Sequence, residues 1–270
     1  LIAALVFTFS ALGCSQLDEL ESGNQDLKER WNSANSPSRF SGIDLNFSLD
    51  DLPREGRADR EIWPSTYWAT AEDSINVRWA SGELSPAEKY DRAFNGWEPE
   101  DGFMELKPYR RSSSSCGDFD KEYYEKLGPL ANHISRYMGN RAARDGVDND
   151  DDGEVDECDD RDGVETWFGL CHAWVPAAML EDRPMRTIKH NGVTFHPGDL
   201  EALLIAAYNR AGSDFIGARC NDKESGSEIE RDEQGRALEV QCRDTNPGTL
   251  HVIMTNYLGL NNTAFAEDRT

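Results

Sequence analysis

Cys171 and His172 stand side by side in the segment TWFGLCHAW, residues 166–174, and a cysteine thiol is a side chain that can act as a nucleophile. Thiol catalysis needs a thiolate, an imidazole that takes and returns its proton, and a group that orients the imidazole. Gly169 predicts a turn into a helix, whose N-terminus favours negative charge, and Pro176 fits only if the helix is still in its first turn there or starts there. From this segment alone, Cys171 is a nucleophile, half of a disulfide or a buried structural thiol.

The chain offers two candidates for the imidazole. His172 is adjacent to the thiol, but neighbouring side chains on a helix point about 100° apart, so it is expected to pack or to orient. His251 lies in NPGTLHVIMTN, which we interpret as a strand after a Pro-Gly turn. Asp268, in the next strand-like segment, supplies a carboxylate. The order Cys, His, Asp is that of papain-like enzymes, although spacing alone leaves an inert thiol equally open.

An acidic segment, residues 148–159, has the spacing of a calcium loop of the EF-hand type. Aspartates occupy positions 1, 3, 5, 9 and 12, and glycine occupies position 6, where the loop turns sharply. The predicted ligands are Asp148, Asp150, Asp152, Glu154, Asp156 and Asp159. Position 12 holds aspartate in place of the longer glutamate, which weakens the expected affinity. The alternative is a solvated acidic insertion that binds nothing tightly.

The N-terminal run LIAALVFTFSALGC, residues 1–14, is apolar but too short to span a membrane. It resembles a bacterial lipoprotein signal, in which Cys14 becomes the lipidated N-terminus, and the alternative is ordinary secretion with cleavage near Gly13. Either interpretation predicts an exported protein, anchored at the cell envelope or secreted. The net charge of −23 disfavours binding to nucleic acid, since phosphate contacts need basic side chains.

Export permits disulfides, so the six cysteines can be sorted. Without Cys14 as a lipid site and Cys171 as a possible nucleophile, four remain. We favour the pairs Cys220 with Cys242 and Cys116 with Cys158, among three possible pairings. Cys171 is then the free thiol.

Local patterns predict the elements that would position these groups. Ser85, Pro86 and Glu88 form a capping-box signature that begins a helix, and GPLANHISRYM predicts a second helix ending near Gly139. Asn191-Gly192 predicts a hairpin turn.

The rest of the chain is assigned from composition and period. Asp199 is expected to cap a helix that stops at Gly212. The segments DFIGARC, ALEVQCRD, TLHVIMTNYLG and TAFAEDRT are interpreted as strands. Helices followed by a mostly antiparallel sheet predict an α+β fold. The expected domains are the signal segment 1–14, a polar linker 15–60, and a catalytic domain 61–270 with the acidic loop at 145–160.

Several sequence blocks in this domain resemble the transglutaminase elicitor family, known from plant-pathogenic oomycetes and with bacterial members. These blocks are TYWATAEDSINVRWASGELSPAEKYDRAF, TWFGLCHAWVPAAMLE, HNGVTFHPGDLEALL, FIGAR, RDTNPGTLHVIMTNYLG and FAEDRT. The resemblance covers about residues 61–270 and implies a papain- or transglutaminase-like core with a Cys-His-Asp triad of Cys171, His251 and Asp268. It also implies that the family domain continues past residue 270, so that the sheet is truncated here.

The resemblance implies a protein-glutamine γ-glutamyltransferase that links glutamine to lysine side chains of protein substrates. Trp174 is a candidate oxyanion donor beside the Cys171 amide. No cofactor is required, calcium at the acidic loop is optional, the only membrane contact is the Cys14 anchor, and the oligomeric state is open. The rivals are a papain-like protease or amidase and a non-catalytic, lipid-tethered binding protein.

Overall fold

The computed structural model of the chain describes most of residues 35–267. The described ranges are 35–40, 42–108, 111–112, 115–116, 120–139, 146–148, 153–155, 166–217, 229–233, 235, 237–239, 242 and 245–267. The chain divides into two compact units, which are described separately. The smaller unit comprises Leu1–Leu45 and Asp214–His251, and the larger comprises Asn46–Ser213 and Val252–Thr270.

The described residues are mainly helical. The α-helices are α1 Pro86–Phe94, α2 Lys121–Glu125, α3 Pro129–Tyr137, α4 Cys171–Leu180, α5 Pro197–Ala207 and α6 Pro247–Met254, followed by a π-helix at Thr255–Leu260. Single 3-10 turns lie at Pro37–Arg39, Leu49–Asp51, Thr70–Glu72, Ser74–Asn76, Phe103–Glu105 and Tyr208–Arg210. The strands β1 Arg111–Ser112 and β2 Ser115–Cys116 pair antiparallel, as do β3 Ile188–His190 and β4 Val193–Phe195. No helix among the described residues is long and apolar enough to cross a membrane.

Helix α1 begins where the capping box predicts. The Ser85 hydroxyl accepts from the Glu88 amide at 3.2 Å, and the Glu88 carboxylate accepts from the Ser85 amide at 2.8 Å. These two bonds satisfy amides that have no partner within the helix, and Pro86 at the first helical position has no amide to satisfy. The start of α1 is therefore specified by residues within one turn of it.

Alanines let the helices of the larger unit pack closely around its core. The buried cluster consists of Trp63, Trp68, Ile75, Ala87, Ala131, Ile134, Leu170, Ala173, Ala177, Ala178, Ala202 and Ile205. Half of these residues are alanine, and a small side chain at a helix contact shortens the distance between helix axes. The core thus joins α1, α3, α4 and α5.

The predicted hairpin is confirmed. Asn191 and Gly192 both have positive φ, 47° and 81°, as a two-residue turn of type I′ requires. In β4, Val193 and Phe195 are buried while Thr194 is exposed, so the strand alternates as expected. The Asn191 side-chain amide also donates to the carbonyl of Ala93 at 2.7 Å, which ties the turn to α1.

Helix α5 begins three residues earlier than expected. Pro197 is its first residue, His196 is the N-cap, and Asp199 is at N3 with its carboxylate accepting from the His196 amide at 2.7 Å. The prediction of Asp199 as N-cap was wrong because Pro197, a residue favoured at the first helical position, places the helix start closer to the N-terminus. Helical structure ends at Arg210, close to the predicted stop at Gly212.

The prediction of a mostly antiparallel sheet after the helices is wrong for the described residues. TLHVIMTNYLG forms part of α6 and the π-helix, and residues 214–217 and 263–267 have no regular structure. Pro247 begins α6, and the buried residues Thr249, Ile253, Asn256 and Tyr257 recur at helical spacing. The helical spacing of these residues was present in the sequence, but the β-branched residues of the segment favour strands and led to the prediction of a strand.

Contacts within the larger unit reach into the predicted linker. The Asn46 amide donates to the Asn256 side-chain carbonyl at 2.7 Å, and the Asn256 side-chain amide donates to the Asn46 carbonyl at 2.9 Å. The Asp59 amide donates to the Asn262 carbonyl at 2.8 Å. Specific packing in this unit therefore starts at Asn46, ahead of the expected boundary at residue 60. Residues 1–34, with the predicted signal segment, lie outside the described residues.

Candidate functional site

Cys171 is the first residue of α4, at the helix start that the turn at Gly169 predicts. Leu170 is the N-cap, and its side chain cannot bond the first amides as Ser85 does in α1. Pro176 lies inside α4 as its sixth residue, so the expectation that it fits only in the first turn was wrong. Because proline has no amide, the bond that residue 176 would donate to the His172 carbonyl is missing. α4 therefore begins without a side-chain cap, so the contacts of the residues before it bear on its start.

The start of α4 is held by Tyr67–Thr70, which we call the strap. The Tyr67 hydroxyl donates to the Thr166 carbonyl at 3.1 Å, and the Thr70 amide donates to the Phe168 carbonyl at 3.0 Å. The Leu170 amide donates to the Tyr67 carbonyl, and Ala69 bridges Gly169 in antiparallel fashion. The strap therefore holds the backbone leading into Cys171 at Thr166, Phe168, Gly169 and Leu170.

The Cys171 thiol is free and exposed. Its sulfur lies 3.9 Å from the carbonyl oxygen of Gly169, at the long limit for a weak S–H donor. The first amides of a helix have no partner within it, and their dipoles favour an anion beside them. Trp167 and Phe168, just ahead of the thiol, are 69% and 49% exposed. The thiol at the start of α4 and the two aromatic side chains before it are therefore all open to solvent.

His172 faces away from the thiol, as the helix geometry predicts. Its Nε2 lies 2.8 Å from the side-chain oxygen of Asn209, so this nitrogen donates. The contact joins the first turn of α4 to the 3-10 turn after α5.

Trp174, the candidate oxyanion donor, uses its indole N–H elsewhere in this structure. It donates to the Trp63 carbonyl at 3.2 Å, and the Trp63 indole in turn donates to the Glu181 carbonyl at 3.0 Å. The two tryptophans thereby tie both ends of α4 to the segment before the strap.

His251 lies exposed on α6, a helix, whereas a strand was predicted. Two hydrogen bonds lie at the start of α6, in the smaller unit. The Asn246 side chain accepts from the Thr249 amide at 2.8 Å, and the Thr249 hydroxyl donates to the Asn35 carbonyl at 2.6 Å. Cys171 belongs to the larger unit and His251 to the smaller. Asp268 lies outside the described residues. The assembly of Cys171, His251 and Asp268 into a triad stays a prediction.

Two of the six predicted calcium ligands, Asp148 and Glu154, are described. The Gly153 amide donates to the Asp148 carboxylate at 2.9 Å, which joins positions 1 and 6 of the loop. Asp150, Asp152, Asp156 and Asp159 lie outside the described residues, so the calcium site stays a prediction.

Cys242 is disulfide-bonded, and the other cysteine with a described side chain, Cys171, is free. The pairings of Cys220 with Cys242 and of Cys116 with Cys158 stay predictions.

Buried charges pair around α1, which the sequence analysis did not anticipate. Lys89 donates to Glu83 at 2.6 Å and to the buried Asp199 at 2.7 Å. The Lys89 ammonium, hydrogen-bonded to Glu83, holds the pKa of that carboxyl below its ordinary value.

A second pair involves Glu88, the residue before Lys89 in α1. Arg78 is bonded to the fully buried Glu88, which also accepts from the Tyr123 hydroxyl at 2.6 Å. Burial, and then the Glu88 charge, raise the pKa of Tyr123 well above its ordinary value. We assign Lys89, Arg78 and Glu88 a structural role. Each is paired with another buried or partly buried side chain, and none is a sequence neighbour of Cys171.

Comparison with known proteins gives one family and one solved structure. The model of the transglutaminase elicitor family matches residues 36–106 and 121–270, starting earlier than the resemblance predicts. The crystal structure of the GP42 transglutaminase from Phytophthora sojae is similar at 29% identity, with a TM-score of 0.47. That match covers 89% of this chain and 56% of the GP42 chain, so this chain spans little more than half of that protein. No curated protein sequence matches the chain.

Proposed function

Because the chain belongs to the transglutaminase elicitor family, we propose that it is a protein-glutamine γ-glutamyltransferase with Cys171 as its nucleophile. The observation that carries the proposal is the free, exposed thiol at the first residue of α4, within the matched region. A structural cysteine would be buried or bridged, and Cys171 is neither. The papain-like arrangement of the core is part of the proposal.

The first half of the reaction forms a thioester. The Cys171 thiolate attacks the side-chain carboxamide carbon of a protein glutamine and forms a carbon–sulfur bond. His251, as imidazolium, gives its proton to the departing nitrogen, and ammonia leaves as the tetrahedral intermediate collapses. The enzyme then carries a γ-glutamyl thioester on Cys171.

The second half transfers the acyl group. A lysine ε-amine attacks the thioester carbon, His251 takes the proton of the amine, and the carbon–sulfur bond breaks to restore the thiolate. The product is an isopeptide link between glutamine and lysine side chains. Asp268 would hold the imidazole in the correct tautomer and stabilise its charged form.

The negative oxygen of each tetrahedral intermediate needs hydrogen-bond donors. The backbone amide of Cys171 is the first candidate, because the opening amides of α4 have no partner within the helix. Trp174 is the second, and it would have to release the Trp63 carbonyl first. The net charge of −23 would favour approach of a cationic lysine donor.

Export and metal binding are proposed separately from the catalytic activity. A lipid on Cys14 would hold the protein at the cell envelope, and mass spectrometry of the N-terminal peptide tests this. Calcium at residues 148–159 would order the acidic loop without entering the reaction. Calorimetry with calcium tests the site, and the absence of binding heat at millimolar calcium would contradict the proposal of a calcium site.

Incubation of the chain with casein and a fluorescent primary amine tests the reaction. We expect amine incorporation that falls by about 10³-fold or more in Cys171→Ala, while Val175→Ala, an exposed change in the same helix, keeps it. Ammonia release without incorporation would instead indicate a hydrolase. Neither product from folded protein would indicate a non-catalytic binding protein and overturn the proposal.

A further inference from the structure

Trp68, in the middle of the strap, has an unusual backbone. Its φ is +45°, in the region that glycine favours and that bulky side chains rarely adopt. Of the other described non-glycine residues with positive φ, three are Asp or Asn, which tolerate it, and the fourth is Ser74. Residues held in such a conformation persist only where the surrounding structure enforces it, and they concentrate at functional sites.

The Trp68 side chain is also costly to bury. The residue is 7% exposed and packs in the main core, and its indole N–H has no hydrogen-bond partner among the described residues. A buried donor without an acceptor is unfavourable, because it loses its bond to water. Strain and an unsatisfied donor therefore coincide in one residue.

The hydrogen bonds of the strap show what the strained backbone does. In regular antiparallel pairing around Ala69 and Gly169, the Leu170 amide would meet the carbonyl of Trp68. Here it meets the carbonyl of Tyr67, one residue earlier, while the Thr70 amide keeps its regular partner at Phe168. Trp68 thus makes the pairing at this single bridge irregular, and we call this irregular step the bulge, because an inserted residue of this kind re-aims the residues opposite it.

The residues opposite the bulge lead directly into Cys171. A side chain at Gly169 would collide with the Tyr67 backbone carbonyl, so the two segments lie as close as their atoms allow. Leu170, whose amide the bulge captures, is the N-cap of α4. The position of the first helical residue follows from this contact, since α4 has no side-chain cap of its own.

We propose that Trp68 is a positioning residue for Cys171: its bulge, anchored by the buried indole, sets where α4 begins and how the thiol is presented. The indole holds the strap in the core, and the left-handed backbone offers the Tyr67 carbonyl to Leu170. The inference rests on the proposed function, since it gives the strap a role in the reactivity of that nucleophile.

Alkylation of Cys171 by iodoacetamide tests this without any assay of acyl transfer. Two variants disturb the bulge: Trp68→Ala removes the anchor, and Gly169→Ala pushes on the Tyr67 carbonyl from the opposite side. The matched controls are Ile134→Ala, which loses packing in the same core, and Gly212→Ala, where a side chain meets open space. Labelling of Cys171→Ala sets the background from any other thiol.

We expect the alkylation rate of both bulge variants to fall by about threefold or more, because the thiol moves away from the helix amides. Both controls should stay within about twofold of the parent chain. If Trp68→Ala is too unstable to measure, Gly169→Ala against Gly212→Ala decides. A rate in the bulge variants that equals the controls, or exceeds them, would show that Trp68 is only a core residue.

Incorporation of the fluorescent amine then separates the two proposals. A positioning role lowers kcat in Gly169→Ala more than it raises KM. If the parent chain alkylates readily and the bulge variants do not, but no chain incorporates amine, the function fails while the positioning of the thiol stands. If amine is incorporated equally by all four variants, the positioning role fails and the function stands.

Discussion

Two helix starts in the larger unit are stabilised in different ways. α1 begins with a capping box, in which Ser85 and Glu88 satisfy each other's amides across one turn. α4 begins at Cys171 with no side-chain cap, and its preceding residues bond to the strap, far away in the chain. The first start depends on its own residues and the second on tertiary contacts. A helix end whose amides are not capped by a side chain remains open to a substrate or to an intermediate.

The comparison implies that substitutions at the start of α1 lower the stability of the fold but do not change the reactivity of the Cys171 thiol in the molecules that remain folded. Glu88→Ala is the most damaging change, because it removes the cap acceptor and leaves the partly buried Arg78 guanidinium without its carboxylate. We expect a loss of about 3–5 kcal/mol in the free energy of unfolding. Urea denaturation measures it. Glu88→Gln, which keeps one acceptor oxygen for the cap, should lose less, and an equal loss in both variants would contradict the contribution of the cap acceptor.

Ser85→Ala should have a smaller effect, confined to the cap. The lost hydroxyl acceptor is expected to cost about 1 kcal/mol, because one amide of α1 loses its partner. The same denaturation experiment measures this cost, with Ser81→Ala, an exposed change outside the helix, as the control. Alkylation of Cys171 in the folded variant should match that of the parent chain. A changed alkylation rate would contradict the conclusion that the starts of α1 and α4 are stabilised independently.

Acid should weaken the region of α1 through Glu83. The pKa of this carboxyl is lowered below its ordinary value of 4.5, first by its hydrogen bond from Lys89 and also by His196 at 3.3 Å. A lowered pKa in the folded state stabilises the protein above 4.5, and this contribution disappears as pH falls through the folded-state value. Because the carboxyl is partly exposed, we expect a small effect.

The measurement compares urea denaturation of the parent chain and Glu83→Gln at neutral and acid pH. The variant should be slightly less stable at neutral pH and lose less stability on acidification. Glu98→Gln, in the more exposed pair with Arg92, is the control and should follow the parent chain. A parent chain and Glu83→Gln with the same acid dependence would contradict the assignment.

The elements predicted correctly are those whose signals act over a few residues. The capping box at Ser85 and the turn at Asn191-Gly192 depend on hydrogen bonds and backbone conformations within one turn. The segment around His251 was mispredicted because its apolar residues satisfy both a strand and a helix pattern. The burial of Ile253, Asn256 and Tyr257 on one side decided for the helix.

The candidate site divides in the same way. Cys171 was identified from residue type and from the glycine before it, and its exposure and free thiol agree with that choice. The strap was not identified from the sequence, although its four residues, YWAT, are part of a block that resembles the family. Nothing local marks Tyr67 as the partner of Thr166, since the two lie 99 positions apart.

By itself, the sequence of this protein determined its family, its candidate nucleophile and the helix and hairpin whose signals are local. These depend on side-chain chemistry and on hydrogen bonds between near neighbours, which short sequence patterns contain. Only the tertiary structure decided which distant contacts hold the residues before α4, that Trp68 is strained with an indole N–H that has no partner among the described residues, and that the segment around His251 is helical. Those features arise from packing between distant segments, and packing enforces conformations that the local sequence alone would not select.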